Sequence, residues 1–141
     1  PGNIDEKFDP FMMPLNDKLF ELMSASDARA LTDQRTISAI PINYLRGASL
    51  NDQIVIADES QNFSVKELIT LITRIGENTK MFICGDTMQS DINGKSGFNK
   101  IKELFKDEAS QKQGIHNFEF DFKDIKRSEI LKYIVKKLES I

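Results

Sequence analysis

The run Gln53-Ile54-Val55-Ile56-Ala57-Asp58-Glu59-Ser60-Gln61-Asn62 constrains this chain more than any other stretch. β-Branched residues pass without polar alternation into two adjacent carboxylates. Such a Val/Ile run suits a strand buried on both faces, as in a parallel sheet covered by helices. In open parallel sheets ligands bind just beyond the carboxyl ends of the strands, which is where Asp58 and Glu59 stand. An acidic pair there matches the needs of nucleotide hydrolysis. One carboxylate holds Mg²⁺ through its waters, and the other orients or deprotonates the attacking water. Taken alone, the same letters also fit an ordinary strand that closes in a polar loop.

Composition narrows the classes. A chain of 141 residues with 40% hydrophobic and 29% charged residues reads as one soluble globular domain spanning 1–141. The net charge of −3 carries no basic signature for nucleic acid, although a local basic face remains compatible with it. Cys84 is the one cysteine and His116 the one histidine. A disulfide framework, a cysteine zinc site and a multi-histidine metal site are therefore excluded within the chain. No apolar stretch approaches membrane-spanning length and no signal-peptide pattern is present, so a cytoplasmic location without membrane contact is the expectation. The opening Pro1-Gly2 lacks an initiator Met and suggests a processed or excised product.

Around the central run the pattern is α/β. Turn formers and aromatics surround Asp9-Pro10, and Pro14 is suited to the first turn of a helix carried by Leu15, Leu19, Leu22 and Met23. Ala28 to Leu31 continue as a second short helix, and Thr36 to Ile42 read as a strand with Pro41 near its end. Tyr44 to Asp52 form a loop or short helix. Ser64 and Glu67 make a capping box ahead of the stripe Leu68, Ile69, Leu71, Ile72 and Ile75, which Gly76 stops. Lys80-Met81-Phe82-Ile83-Cys84 is a second buried-type strand ending in Gly85-Asp86-Thr87-Met88-Gln89. Strand, helix, strand at these lengths is a right-handed βαβ unit. A helix carried by Phe98, Ile101, Leu104 and Phe105 comes next, then an exposed polar stretch over 107–114. Phe118, Phe120 and Phe122 alternate with acidic residues as a third strand, and Ser128 to Leu138 close the chain as a helix. The phenylalanines could form a base-stacking row, but one face of a buried strand explains them more cheaply. Cys84 reads as a small buried hydrophobe and His116 as a structural or surface residue.

Two parallel strands thus end in polar motifs that a doubly wound sheet brings to one crevice. At this point the sequence resembles a known family. Ile54 to Asn62 looks like the Walker B motif of the PhoH-like ATPases, relatives of the superfamily-1 helicases. Gly85-Asp86-Thr87-Met88-Gln89 looks like helicase motif III. The likeness extends to Tyr44-Leu45-Arg46-Gly47, Leu50-Asn51-Asp52, Lys95-Ser96-Gly97 and Asp124-Ile125-Lys126-Arg127, and to Asp9-Pro10 with Pro14-Leu15. It implies a three-layer α/β/α fold with a mostly parallel sheet, of the P-loop NTPase (RecA-like) type and incomplete at its N-terminus. It also implies ATP and Mg²⁺ as cofactors, coupling to RNA or single-stranded nucleic acid, and a homo-oligomeric ring. Asp58 would hold Mg²⁺ through water, Glu59 would position the hydrolytic water, and Gln89 would report the γ-phosphate to the rest of the domain. Arg127 would act on phosphate charge, across a subunit boundary if it is an arginine finger, and its plain alternative is a surface arginine at a helix start. Arg46 stands between a phosphate or nucleic-acid contact and a surface ion pair.

One departure is serious. The family's phosphate-binding loop, G-x-x-x-x-G-K-[S/T], does not occur in the chain. Gly94-Lys95-Ser96 matches in letters, but Gln89 stands where the first glycine belongs. The backbone amides and lysine that cradle phosphates are therefore missing. The chain reads as the carboxyl-terminal part of an ATPase, expected to bind ATP poorly by itself. The alternatives are a catalytically silent interaction module and a Mg²⁺-dependent nuclease built on Asp58, Glu59 and Asp86.

Overall fold

The computed structural model describes residues 4–86, 96–126 and 128–138. Two parallel strands, β1 (Ile54–Ala57) and β2 (Lys80–Ile83), pair directly, with helix α3 (Val65–Ile72) in the crossover. Helices α1 (Ile4–Leu22) and α2 (Ala25–Asp33) precede them, and α4 (Phe98–Leu104), α5 (Glu108–Lys112) and α6 (Glu129–Leu138) follow. Short 3₁₀ turns lie at Ile42–Leu45, Ser60–Asn62 and Phe122–Asp124. A mixed helix–strand chain with a small parallel sheet is compatible with an α/β fold.

The chain divides into two units, Pro1–Val55 with Ile69–Phe82, and Ile56–Leu68 with Ile83–Ile141. In the first unit α1 packs on α2, where Leu19 and Ala28 are buried. Ser24 caps α2 by accepting the Asp27 N–H at 3.2 Å. The first part of the ladder also lies here. Lys80 N–H donates to the Gln53 carbonyl at 3.1 Å, and Leu50 both accepts from Gly76 and donates to the Arg74 carbonyl. Asn51 Oδ1 accepts the Glu77 N–H at 2.9 Å, and Thr79 Oγ1 donates to the Leu50 carbonyl at 2.6 Å. Gly76 is required by this close approach, since an added Cβ would lie 2.7 Å from the Leu50 carbonyl oxygen.

In the second unit the ladder finishes with Cys84 N–H to the Ala57 carbonyl at 2.8 Å. The expected capping box forms at the start of α3. Glu67 N–H donates to Ser64 Oγ, while Ser64 donates its N–H and hydroxyl to Glu67 Oε2 at 2.8 and 2.7 Å. Those two bonds hold the Glu67 pKa below the ordinary glutamate range. The turn of α4 behind it fits only glycine at position 97, where a Cβ would stand 2.4 Å from the Val65 nitrogen.

Several expectations are corrected. The central strand is not buried on both faces: Ile54 and Ile56 are 70% and 68% exposed, while Ala57 is buried. Among the described residues no layer covers that face. Thr36 to Ile42 form no strand, because the Thr36 and Ile37 amides both turn back to the Leu31 carbonyl and close α2. β propensity needs a partner ladder, and among the described residues none pairs with this segment. The phenylalanine row is not a strand either. Phe118 and Phe120 are 81% and 87% exposed, and Asp121 and Asp124 fold the following residues into a 3₁₀ turn. Pro14 does not open a helix, since α1 already begins at Ile4 and runs through both prolines. Proline's fixed φ is a helical one, although an interior proline removes a hydrogen bond and crowds the carbonyl four residues earlier, at a cost of about 3 kcal/mol. The polar stretch after Lys106 is largely exposed, as expected, and carries α5, capped by Asp107 accepting the Ser110 N–H at 2.7 Å.

Ser64→Ala is expected to destabilise the protein by about 1 kcal/mol. Because the Glu67 pKa is lowered on folding, its share of the cap is complete above the ordinary value of 4.5 and fades as pH falls through the folded value. Chemical denaturation at pH 7 and pH 3 checks this. The Glu67→Gln penalty should be present at pH 7 and shrink at pH 3.

Candidate functional site

The candidate site is built where β1 and β2 end. Asp58 follows Ala57 directly and is exposed, and its Oδ1 accepts the Glu59 N–H at 2.9 Å. Glu59 is left-handed, with φ 52° and ψ 32°. A non-glycine residue held there costs about 1–2 kcal/mol, so its surroundings must impose it. Ser60 does so. It is fully buried, its hydroxyl donates to the Ala57 carbonyl at 2.9 Å, and its N–H donates to the Cys84 carbonyl at 2.8 Å. The β1–β2 ladder is thereby carried past both strands into the turn. Asn62 and Phe63 close the turn onto the Glu59 and Ser60 carbonyls.

Gln61 was not expected to matter, and it joins the two motifs. Its side chain is 1% exposed. Nε2 donates to Glu59 Oε2 at 2.7 Å, and Oε1 accepts the Asp86 N–H at 3.0 Å. A bond to an ionised carboxylate is the stronger, charge-assisted kind. Gly85 lets the second strand end come this close, since a Cβ there would meet the Gln61 nitrogen at 2.9 Å and Phe98 Cζ at 3.2 Å. A buried glutamine leaves no periodicity or motif signature, because Gln is a surface residue by default. The one signal available in the sequence was its place inside the polar run that follows the strand.

Cys84 is exposed, correcting the expectation of a buried hydrophobe. What desolvation it does experience pushes its thiol pKa up, and the nearby Asp58 carboxylate pushes the same way. His116 is exposed, 6.4 Å from the Phe118 ring. Arg46 is exposed in the first unit, directly after the 3₁₀ turn that buries Leu45. Gln89, Lys95 and Arg127 lie outside the described residues. Asp58, Glu59 and Asp86 are thus the expected site residues that the structure describes in one place, the second unit.

Asp58 supplies hard carboxylate oxygen on an exposed turn, a donor that suits Mg²⁺ held through water by one carboxylate and substrate phosphates. Among the described residues, no group of three or more His, Cys, Asp or Glu side chains is placed to hold a metal ion. Among the same residues, no helix is long and apolar enough to cross a membrane.

With this geometry established, comparison with known proteins gives the family. Residues 1–139 match the PhoH-like protein family. The chain belongs to it. It is 35% identical over 137 residues to a PhoH-like protein of Bacillus subtilis, covering 96% of this chain and 42% of that protein. A PhoH-like protein of Mycobacterium tuberculosis is 31% identical over 137 residues, covering 96% of this chain and 38% of the relative. Protein PhoH of Escherichia coli is 33% identical over 94 residues, covering 65% of this chain and 27% of the relative. This PhoH-like chain therefore spans about two fifths of the length of the first two relatives.

Gly85→Ala should destabilise the chain by about 1–3 kcal/mol, the usual cost of forcing extra volume into a packed contact. Its clash is with the Gln61 backbone as well as with a side chain. Urea unfolding of the variant checks the magnitude, and an unchanged midpoint would show that the turns do not meet this tightly.

Proposed function

We propose that this chain supplies the water- and metal-positioning half of an ATP-hydrolysing site, within a three-layer α/β/α sheet of P-loop NTPase (RecA-like) type. The observation that carries the reading is the convergence of two polar strand ends, Asp58-Glu59 and Gly85-Asp86, tied through Gln61. Ligands of parallel α/β sheets bind at this end of the strands, and family membership adds the same direction.

In this reading Asp58 holds Mg²⁺ through water. When bound, Mg²⁺ neutralises charge developing on the phosphates. Glu59, whose backbone is held in the left-handed region, orients the attacking water and takes its proton. Gln89 is assigned to the γ-phosphate. Arg127 is assigned to phosphate charge, across a subunit boundary in a homo-oligomeric ring. Its planar, permanently charged fork suits phosphate oxygens in a way lysine cannot reproduce. The phosphate cradle itself must come from a P-loop that these 141 residues do not contain. RNA or single-stranded nucleic acid is the proposed coupled partner, and the cytoplasm the proposed location.

The test is Glu59→Gln in a polypeptide that carries a P-loop together with this chain. Loss of the base should lower turnover by about 10²–10⁴-fold, while ATP affinity stays within about threefold because the amide keeps the carboxylate's size. Unchanged turnover would remove Glu59 from the chemistry. Absence of any ATP binding would instead favour a catalytically silent interaction module.

A further inference from the structure

We propose that Gln61 is a positioning residue for hydrolysis, fixing the Glu59 carboxylate with one end of its amide and the Gly85-Asp86 turn with the other. The inference rests on the ATP-hydrolysis reading above and names the device that makes the two strand ends act as one. Three observations carry it. The side chain is buried at 1% exposure, which leaves its rotamer little freedom. Its two ends are matched by type, the N–H₂ end to the Glu59 carboxylate and the carbonyl end to the Asp86 N–H. Its backbone is also held, because Ser60 on one side bonds the Ala57 and Cys84 carbonyls, and Gly85 leaves no room for a Cβ beside the Gln61 nitrogen. A displacement of Gly85-Asp86 therefore reaches the Glu59 carboxylate through a single rigid amide. Misplacing a reacting group by about 1 Å can cost about 10²-fold in rate.

The variants separate the two ends. Gln61→Leu removes both bonds at similar volume. Gln61→Glu keeps an acceptor for the Asp86 N–H but replaces the donor to Glu59 with a second carboxylate. In the polypeptide that carries the P-loop, both should lower kcat by about 10–100-fold while KM for ATP stays within about threefold. Added to Glu59→Gln, Gln61→Leu should cause no further loss, since it acts through a carboxylate already removed. A merely structural role would instead give multiplicative losses that track thermal stability.

A second readout needs no turnover. In ¹⁵N-labelled protein, Glu59→Gln should shift the Asp86 amide resonance when Gln61 is present and leave it unmoved in the Gln61→Leu background. If Glu59→Gln abolishes hydrolysis while both Gln61 variants turn over normally, the positioning role is wrong and the hydrolysis reading stands. If Glu59→Gln itself turns over normally, the hydrolysis reading falls and the positioning role with it. An Asp86 shift on Glu59→Gln that persists without Gln61 also overturns the proposal. Should Gln61→Leu fail to fold, Gln61→Glu decides by the same criteria.

Discussion

The structure depends on the continuation of one hydrogen-bond ladder beyond the strands that define it. Cys84 N–H donates to the Ala57 carbonyl at 2.8 Å, and the Cys84 carbonyl then accepts the Ser60 N–H at 2.8 Å. Those two bonds take the register of a short parallel pair and impose it on the turn that carries Asp58 and Glu59. Without them Glu59 would relax out of a left-handed conformation that costs about 1–2 kcal/mol. The site is thus held by backbone pairing and a buried serine more than by contacts among its own carboxylates.

The glycines follow from the same constraint. The turn after β1 and the Gly85-Asp86 segment share one glutamine side chain at a distance that leaves no room for a Cβ at position 85. Gly97 does the equivalent at the next connection, where its N–H donates to the Phe63 carbonyl at 2.8 Å and any Cβ would strike the Val65 backbone. Close backbone approach sets these positions. Neither glycine has a positive φ.

The sequence was legible where the signal is local. The capping box at Ser64 and Glu67, the two Val/Ile- and Phe-rich strands and the carboxylates at the first strand's end could all be read from spacing and residue type. It was misleading where a signal needs a partner. The alternating phenylalanines and the β-rich Thr36 to Ile42 have strand chemistry, but a strand exists only when another backbone pairs with it. The same reasoning covers Ile54 and Ile56, which are 70% and 68% exposed, because a Val/Ile run marks a strand without itself supplying the layer that would bury it. Gln61 was illegible for a different reason. Its importance lies in which atoms its two ends meet, and those atoms are set by Glu59 and by Asp86, a residue far along the chain.

The central claim is that the end of β1 delivers a metal-binding carboxylate to the phosphates of a nucleotide. Paramagnetic broadening tests it most directly, using Mn²⁺ in place of Mg²⁺ with ATP and the ¹⁵N-labelled polypeptide that contains both a P-loop and this chain. The account predicts that the amides of Asp58, Glu59 and Ser60 broaden first, and that Asp58→Asn abolishes this broadening while ATP still binds. Broadening centred elsewhere in the chain, or unaffected by Asp58→Asn, would contradict it.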